Sequence, residues 1–277
     1  MNEPIILPTG KPHISFSEMS DWVMCPYYHK VKHIDRSIPD RIGPALAFGK
    51  AVHFGVDQYF TKGDVNLAEV ITIIQKDYEK NKDTEMYKKY LPLKALEASY
   101  VTAGSILADV PEFFESTFPG MVYKSSESQL YEPLVKHPGT FFKGFLDLEI
   151  DVPDKKGKPL TWIIDHKTCQ WGWPREKKQD ANTKNQLVLY KNFWSQKSGK
   201  NIKDIRCAFV LLKKQAKPGD HCELFPVSVG DLSIQKTLQT VDSMVGSLKK
   251  GMFIKKKFSC ERCELAGTRF CEGSIKV

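Results

Sequence analysis

No apolar stretch in this chain of 277 residues approaches the roughly eighteen that a membrane-spanning helix requires. That excludes a helical membrane channel or transporter. The opening Met1-Asn2-Glu3-Pro4 has neither the charged nor the apolar region of a targeting segment. The expectation is a soluble, cytoplasmic protein with no membrane partner. The pattern Gly-x-x-x-x-Gly-Lys-Ser/Thr is missing as well, and Thr9-Gly10-Lys11 carries only a fragment of it. The expectation is a chain with no P-loop motor of its own, so that any unwinding comes from another protein. Repeats and low-complexity linkers are also absent, which argues against a solenoid or a string of modules.

What is present is a core and a surplus of positive charge. Hydrophobic residues make up 41% of the chain, enough for one substantial core, and Lys plus Arg exceed Asp plus Glu, 41 to 33. The lysines gather at Lys155–Lys158, Lys177–Lys178, Lys213–Lys214 and Lys255–Lys257. Such clusters suit phosphate contacts, whose strength falls with salt.

The most informative stretch runs from Phe142 to Thr168. Phe141, Phe142, Phe145, Leu146, Leu148, Ile150 and Val152 form a mostly apolar run, with Lys143, Asp147, Glu149 and Asp151 set among them. Asp154-Lys155-Lys156-Gly157-Lys158 reads as a hairpin turn, and Leu160-Thr161-Trp162-Ile163-Ile164 is a second strand ending on Asp165. Pairing the two brings Asp147 and Asp165 to the same end of the ladder. Side chains two apart on a strand share a face, so Asp165 and Lys167 point together while His166 points away. A hard cation such as Mg²⁺ is usually held by one or two carboxylates plus a substrate phosphate, and a lysine beside it can reach the metal-bound water. The chemistry predicted is cleavage of nucleic acid.

Periodicity predicts helices at about Ser17–Ile34, 45–61, 66–80 and 92–117, then strands at about 121–134, 139–151 and 159–167. A helix at about 179–196, strands at about 204–213 and 222–229, and a helix at about 230–249 complete the pattern. His53 lies in the second helix, with Gly49 one turn before it and Asp57 one turn after. Asp57 either holds the second ring nitrogen of His53 or is simply solvated. Gln186 and Tyr190 stand one turn apart on a later helix, to which Leu187, Leu189, Tyr190 and Phe193 give an apolar side.

Seven cysteines occur, at 25, 169, 207, 222, 260, 263 and 271. Cys260-Glu261-Arg262-Cys263 lets two thiolates converge on one metal, Cys271 adds a third, and Cys25 is the candidate fourth ligand. The odd count and the lack of a signal peptide argue against disulfides. Cys169 and Cys207 read as apolar residues.

Gly49-x-x-x-His53, Gly144-x-x-Asp147, Asp165-x-Lys167 and Gln186-x-x-x-Tyr190, in that order, resemble the PD-(D/E)xK nucleases of the RecB/Cas4 type. Ile14-Ser15-Phe16-Ser17 and Cys25-Pro26-Tyr27-Tyr28 are similar to the start of that group, and the resemblance runs from about Ile14 to Cys271. It implies that His53, Asp147, Asp165 and the carbonyl of His166 bind Mg²⁺ or Mn²⁺, that Lys167 orients or activates water, and that Gln186 and Tyr190 shape the site and touch DNA. Asp165 stands where many relatives have Glu. The resemblance further implies a 4Fe-4S cluster on Cys25, Cys260, Cys263 and Cys271, although the spacing from Cys263 to Cys271 is longer than usual. Four thiolates also suit a structural zinc.

The resulting expectation is a single α/β domain over 1–277, with a restriction-endonuclease-like central mixed sheet flanked by helices. A helical region at about 45–120 precedes a catalytic sheet core at about 121–230, and a cluster-binding tail at about 255–277 returns to Cys25. The function implied is a metal-dependent DNA exonuclease acting on single-stranded ends in recombination, repair or Cas4-like processing. Its partners would be DNA and a separate helicase, recombinase or Cas1-like integrase. The competing reading is an inactive DNA-binding protein that keeps the nuclease fold and a structural metal cluster.

Overall fold

Ser15 ends the first strand, β1 (His13–Ser15), and begins the first helix, α1 (Phe16–Met24). Its hydroxyl accepts from the Glu18 N–H at 3.3 Å while Glu18 Oε2 accepts from the Ser15 N–H at 3.1 Å, a reciprocal cap that stabilises the helix by about 1 kcal/mol. The helix predicted to reach Ile34 stops early. Cys25 is extended (φ −163°, ψ 117°) because Pro26 disfavours a helical residue before it. The chain resumes as α2 (Pro26–His29) and a π-helical turn over Lys30–Ile34. The computed structural model describes residues 3–38 and 43–272; Met1 and Asn2 of the opening segment and residues 273–277 of the expected tail lie outside them.

A helical layer follows: α3 (Pro44–Lys62), α4 (Leu67–Asn81), α5 (Glu85–Tyr90) and α6 (Leu93–Thr117). Proline in its first turn sets the start of α3, and Gly63, left-handed at φ 76°, ends it. The chain then enters β2 (Val122–Pro133), β3 (Phe141–Pro153) and β4 (Pro159–Cys169). The predicted hairpin forms: Pro153 pairs with Pro159, and Asp154 Oδ1 accepts from the N–H groups of Lys156 and Lys158. The remaining elements are α7 (Arg175–Gln179), α8 (Ala181–Ser198), β5 (Ile205–Lys213), β6 (Cys222–Pro226) and α9 (Asp231–Lys249).

Among the described residues the sheet has six strands in the order β1-β3-β4-β5-β6, with β2 also on β3. It is mixed, as expected: β1 with β3 and β4 with β5 are parallel, and the other pairs are antiparallel. Because β2 lines β3 along its length, β1 and β4 must share the opposite edge. There β1 pairs with Phe141–Lys143, and β4 pairs only from Leu148 onward. Residues 144–147 lie in the fork between them.

Each face of the sheet is covered by its own core. Phe142, Leu146, Ile163 and Phe209 pack with buried residues of α1, α8 and α9, and Phe142 stacks on Phe193 at 4.5 Å. Leu148, Ile150, Ile164 and Val210 pack with α3, α4 and α6. Leu146 and Leu148 are two apart yet belong to opposite cores, so the simple alternation read from the sequence fails at Asp147. Glu127 on β2, facing Asp147 between the pairs Ser128–Leu146 and Ser126–Leu148, is left-handed at φ 50°, and the register of the ladder shifts further along, between Tyr123 and Ser125. Helix α8 is buried well beyond one side, at Gln186–Lys191, Phe193 and Trp194, as suits a helix held between the sheet and α9.

The tail returns to the first helices. Buried Cys25, Tyr28, Val31, Cys263, Leu265, Ala266 and Cys271 form a third cluster. The Tyr28 hydroxyl donates to Glu264 at 2.8 Å, the Tyr27 hydroxyl to the Phe270 carbonyl at 3.1 Å, and the Lys256 N–H reaches Cys25 Sγ at 3.3 Å.

Candidate active site

Two glycines bring helices against the fork. A side chain at Gly49 would place its Cβ 3.1 Å from Thr168 Oγ1, so α3 lies close to the end of β4 and carries His53, one turn on, towards Asp147. A Cβ at Gly144 would lie 2.8 Å from Tyr190 Cε1, so α8 presses its tyrosine onto β3. The paired motif spacings are thus packing requirements that converge on one place.

At the fork, the His166 N–H no longer reaches β3 and donates instead to Asp147 Oδ2 at 2.7 Å. His53 Nδ1 lies 3.7 Å from the same oxygen, and the His53 ring stands next to the His166 main chain. Asp165 is almost fully buried. Its Oδ2 is 2.6 Å from Lys167 Nζ, and its Oδ1 accepts from Gln186 Nε2 at 2.5 Å. Gln186 also donates to the Tyr190 hydroxyl at 3.2 Å. The His166 ring points to the other face, 5.6 Å from the His53 ring and 6.2 Å from Phe114.

Asp147, Asp165, Lys167, His53 and the His166 main chain therefore meet at one point. Gln186 and Tyr190 stand behind Asp165, only 9% and 6% exposed, in the interior and not on an open surface. Asp57 does not serve His53; it accepts from the Ser126 hydroxyl of β2. Lys213, counted with the phosphate-seeking lysines, is buried and paired with Asp220 at 3.1 Å, while Lys214 covers the Phe48 ring at 4.2 Å. That pair belongs to the protein's own packing.

Burial dominates the electrostatics. It pushes Asp147 up to about 6, against the pull of Lys167 and the His166 N–H. It pushes Asp165 up to about 7, helped by the charge of Asp147. His53 is lowered by burial, and His166 well below its ordinary value for the same reason. Lys167 is raised: burial works against its charge, but Asp165 and Asp147 outweigh it. One lysine cannot neutralise two buried carboxylates, so the site has an unmet demand for a cation. An oxygen-rich set with one imidazole fits a divalent ion of the Mg²⁺ or Mn²⁺ kind. As the side chains stand, no three His, Cys, Asp or Glu groups among the described residues already cage an ion.

Glu127 was invisible to sequence reasoning. It belongs to no motif, yet it faces Asp147 across the strands, and its charge acts on Asp147 while that of Asp165 acts on it. Only the register of β2, with a left-handed residue opposite the first aspartate, reveals it.

Cys25, Cys260, Cys263 and Cys271 line one cavity of about 110 Å³. Burial raises the Cys263 thiol, and the neighbouring Cys25 and Cys271 raise it further. Cys207 is buried in the core and Cys169 packs against it, apart from these four.

No helix among the described residues is long and apolar enough to cross a membrane. No curated protein matches the chain significantly. The crystal structure of a "putative exonuclease" from Eubacterium rectale aligns with 91% of this chain and 86% of its own, at 18% identity and a TM-score of 0.54, a likeness of fold. A second solved structure, described without an activity, covers 95% of this chain and 87% of its own, at 12% identity and a TM-score of 0.40. Residues 13–268 match the family model of the PD-(D/E)XK nuclease superfamily, nearly the whole chain, with His53, Asp147, Asp165, Lys167, Gln186 and Tyr190 inside the match and Cys271 just beyond it, and the protein belongs to that superfamily.

Proposed function

We propose that this nuclease is a divalent-metal-dependent DNA exonuclease that works from strand ends. The observation that carries the reading is the pair of carboxylates in the fork of the sheet, Asp165 buried and Asp147 partly exposed beside it, with Lys167 at 2.6 Å from Asp165. Asp147, Asp165, His53 and the His166 carbonyl would hold the ion. A bound divalent ion polarises a phosphate and lowers the pKa of a coordinated water. Lys167, fixed by Asp165, would orient that water and the scissile phosphate, while Gln186 holds the Asp165 carboxylate in place. The inactive DNA-binding reading is disfavoured because the carboxylates, the lysine and the histidine all meet at one point.

The four-cysteine cavity supports a structural 4Fe-4S cluster, with zinc as the alternative, in a chain that folds as one nuclease domain. Lacking a motor motif, the enzyme would act on single-stranded ends exposed by a helicase, or beside a recombinase or Cas1-like integrase. The test is digestion of single-stranded and duplex DNA, labelled at each end in turn, with Mg²⁺ or Mn²⁺. Terminal products from the wild type, and a loss of about a hundredfold or more in Asp165→Ala, are expected. A folded alanine variant that cuts at the wild-type rate would falsify the assignment of the site.

A further inference from the structure

The segment 247–259 contains five lysines, Lys249, Lys250, Lys255, Lys256 and Lys257, and no acidic residue. Set among them are Met252, Ile254 and Phe258, which are 47%, 72% and 98% exposed. The segment leaves the end of α9 and runs over the α1–α2 break into a 3-10 turn, Lys257–Arg262. Together with Trp22 and Pro26 it encloses an open groove of about 550 Å³, whose lining contains no carboxylate.

The chain ties this strap down without neutralising it. Lys256 donates to the Val23 carbonyl at 2.9 Å, and Lys255 packs over the Tyr27 ring at 4.8 Å. Lys249, Lys250 and Lys257 are exposed and, among the described residues, meet no acidic partner. A contiguous exposed apolar patch marks a binding surface. Protein interfaces are depleted in lysine, whereas exposed rings among unpaired lysines are what single-stranded nucleic acid requires, its bases stacking and its phosphates meeting the charges. A duplex hides the faces of its bases, so the ring of Phe258 selects an unpaired strand.

We propose that this groove binds single-stranded DNA, with bases against Phe258 and the phosphates on Lys249, Lys250 and Lys257, as a surface separate from the residues of the fork. The inference rests on the reading of the protein as a nuclease of DNA ends and adds the place where the strand is held.

The experiment is fluorescence anisotropy of labelled oligothymidylate with the full chain and no added divalent ion, so that nothing is cut. Phe258→Ala should weaken binding about tenfold, and Phe258→Trp, which keeps a ring, should restore it. The triple change Lys249→Gln, Lys250→Gln, Lys257→Gln should reduce the slope of log affinity against log salt by about 2. Phe258 is almost wholly exposed, so an unchanged Tm is expected and excludes misfolding as the cause. If the wild type binds no single-stranded DNA, this inference falls, while the nuclease reading stands or falls separately on the cleavage assay with Mg²⁺ or Mn²⁺. If it binds DNA but the Phe258→Ala and triple-lysine variants bind as tightly, the groove assignment alone is overturned. Loss of attachment to anionic lipid vesicles, with DNA affinity intact, would overturn it in favour of a membrane surface.

Discussion

Asp165 reaches its position at a cost that shapes how the site must behave. Its carboxyl is pushed up to about 7 and that of Asp147 to about 6, both first by burial. Protonated in the fold at a pH where the unfolded chain is ionised, these groups favour the metal-free fold at low pH, and the contribution is lost as pH rises through 6 and 7. A metal reverses the sign, because it must displace those protons. Mn²⁺ affinity measured by calorimetry should therefore fall about tenfold or more from pH 8 to pH 6, with proton release at the lower pH. Equal affinity at both values would remove Asp165 from the ligand set. Glu127 offers a separate test. A left-handed conformation costs a non-glycine residue about 1–2 kcal/mol, and glycine gives back about 0.5–1 kcal/mol of that in unfolded-state entropy. Glu127→Gly should consequently raise stability by about 0.5–1 kcal/mol, read from denaturant midpoints. A lower midpoint would show that the carboxylate contributes more than its backbone costs.

The elements that build the site were legible where the signal was local and obscure where it came from a distant partner. The β3–β4 hairpin announces itself through Asp154–Lys158, and the pairing brings Asp147 and Asp165 to the same end of the ladder, as expected. By contrast β1 is three residues long and owes its strand geometry to Phe141–Lys143, with nothing of its own to mark it. The break at Cys25 could have been read from Pro26, but the apolar period continuing to Ile34 concealed it. The fork was not readable at all, because alternation fails at Asp147, opposite a left-handed residue, Glu127, on another strand. The motif glycines were legible as positions but not as causes. Gly144→Ala should cost about 1–3 kcal/mol, since the new Cβ meets the Tyr190 ring, and it should shift α8 and loosen the Gln186 hold on Asp165. Adding Tyr190→Leu should recover part of that stability in a double-mutant cycle. Strictly additive effects would mean that the glycine answers to something other than this contact.

At the scale of the whole molecule, the α1–α2 region and residues 260–271 are held together by an apolar cluster much smaller than either face of the sheet. The hydrogen bond from Cys25 Sγ to the Ile254 carbonyl spans 229 residues, so the ends gain more from a metal cross-link than neighbouring segments would. Yet this third core holds few buried side chains, whereas each sheet face carries many, from Phe142 and Phe193 on one side to Leu148 and Phe114 on the other. On the proposed reading that the four cysteines hold a metal cluster, losing that metal should release the clasp before it melts the sheet, as expected when one cooperative unit is weaker than its neighbours. Protein purified without oxygen should be brown, and Cys25→Ala or Cys263→Ala should remove the colour and lower the Tm, while Cys207→Ala leaves the colour. Hydrogen exchange after oxidative removal of the cluster should show lost protection at the α1–α2 break and over residues 254–271, with β3, β4 and β5 still protected. Uniform deprotection of the sheet would show instead that the cross-link governs global stability. A colourless protein with one zinc would reassign the metal while leaving the order of unfolding unchanged, because that order is set by how little apolar surface the clasp buries.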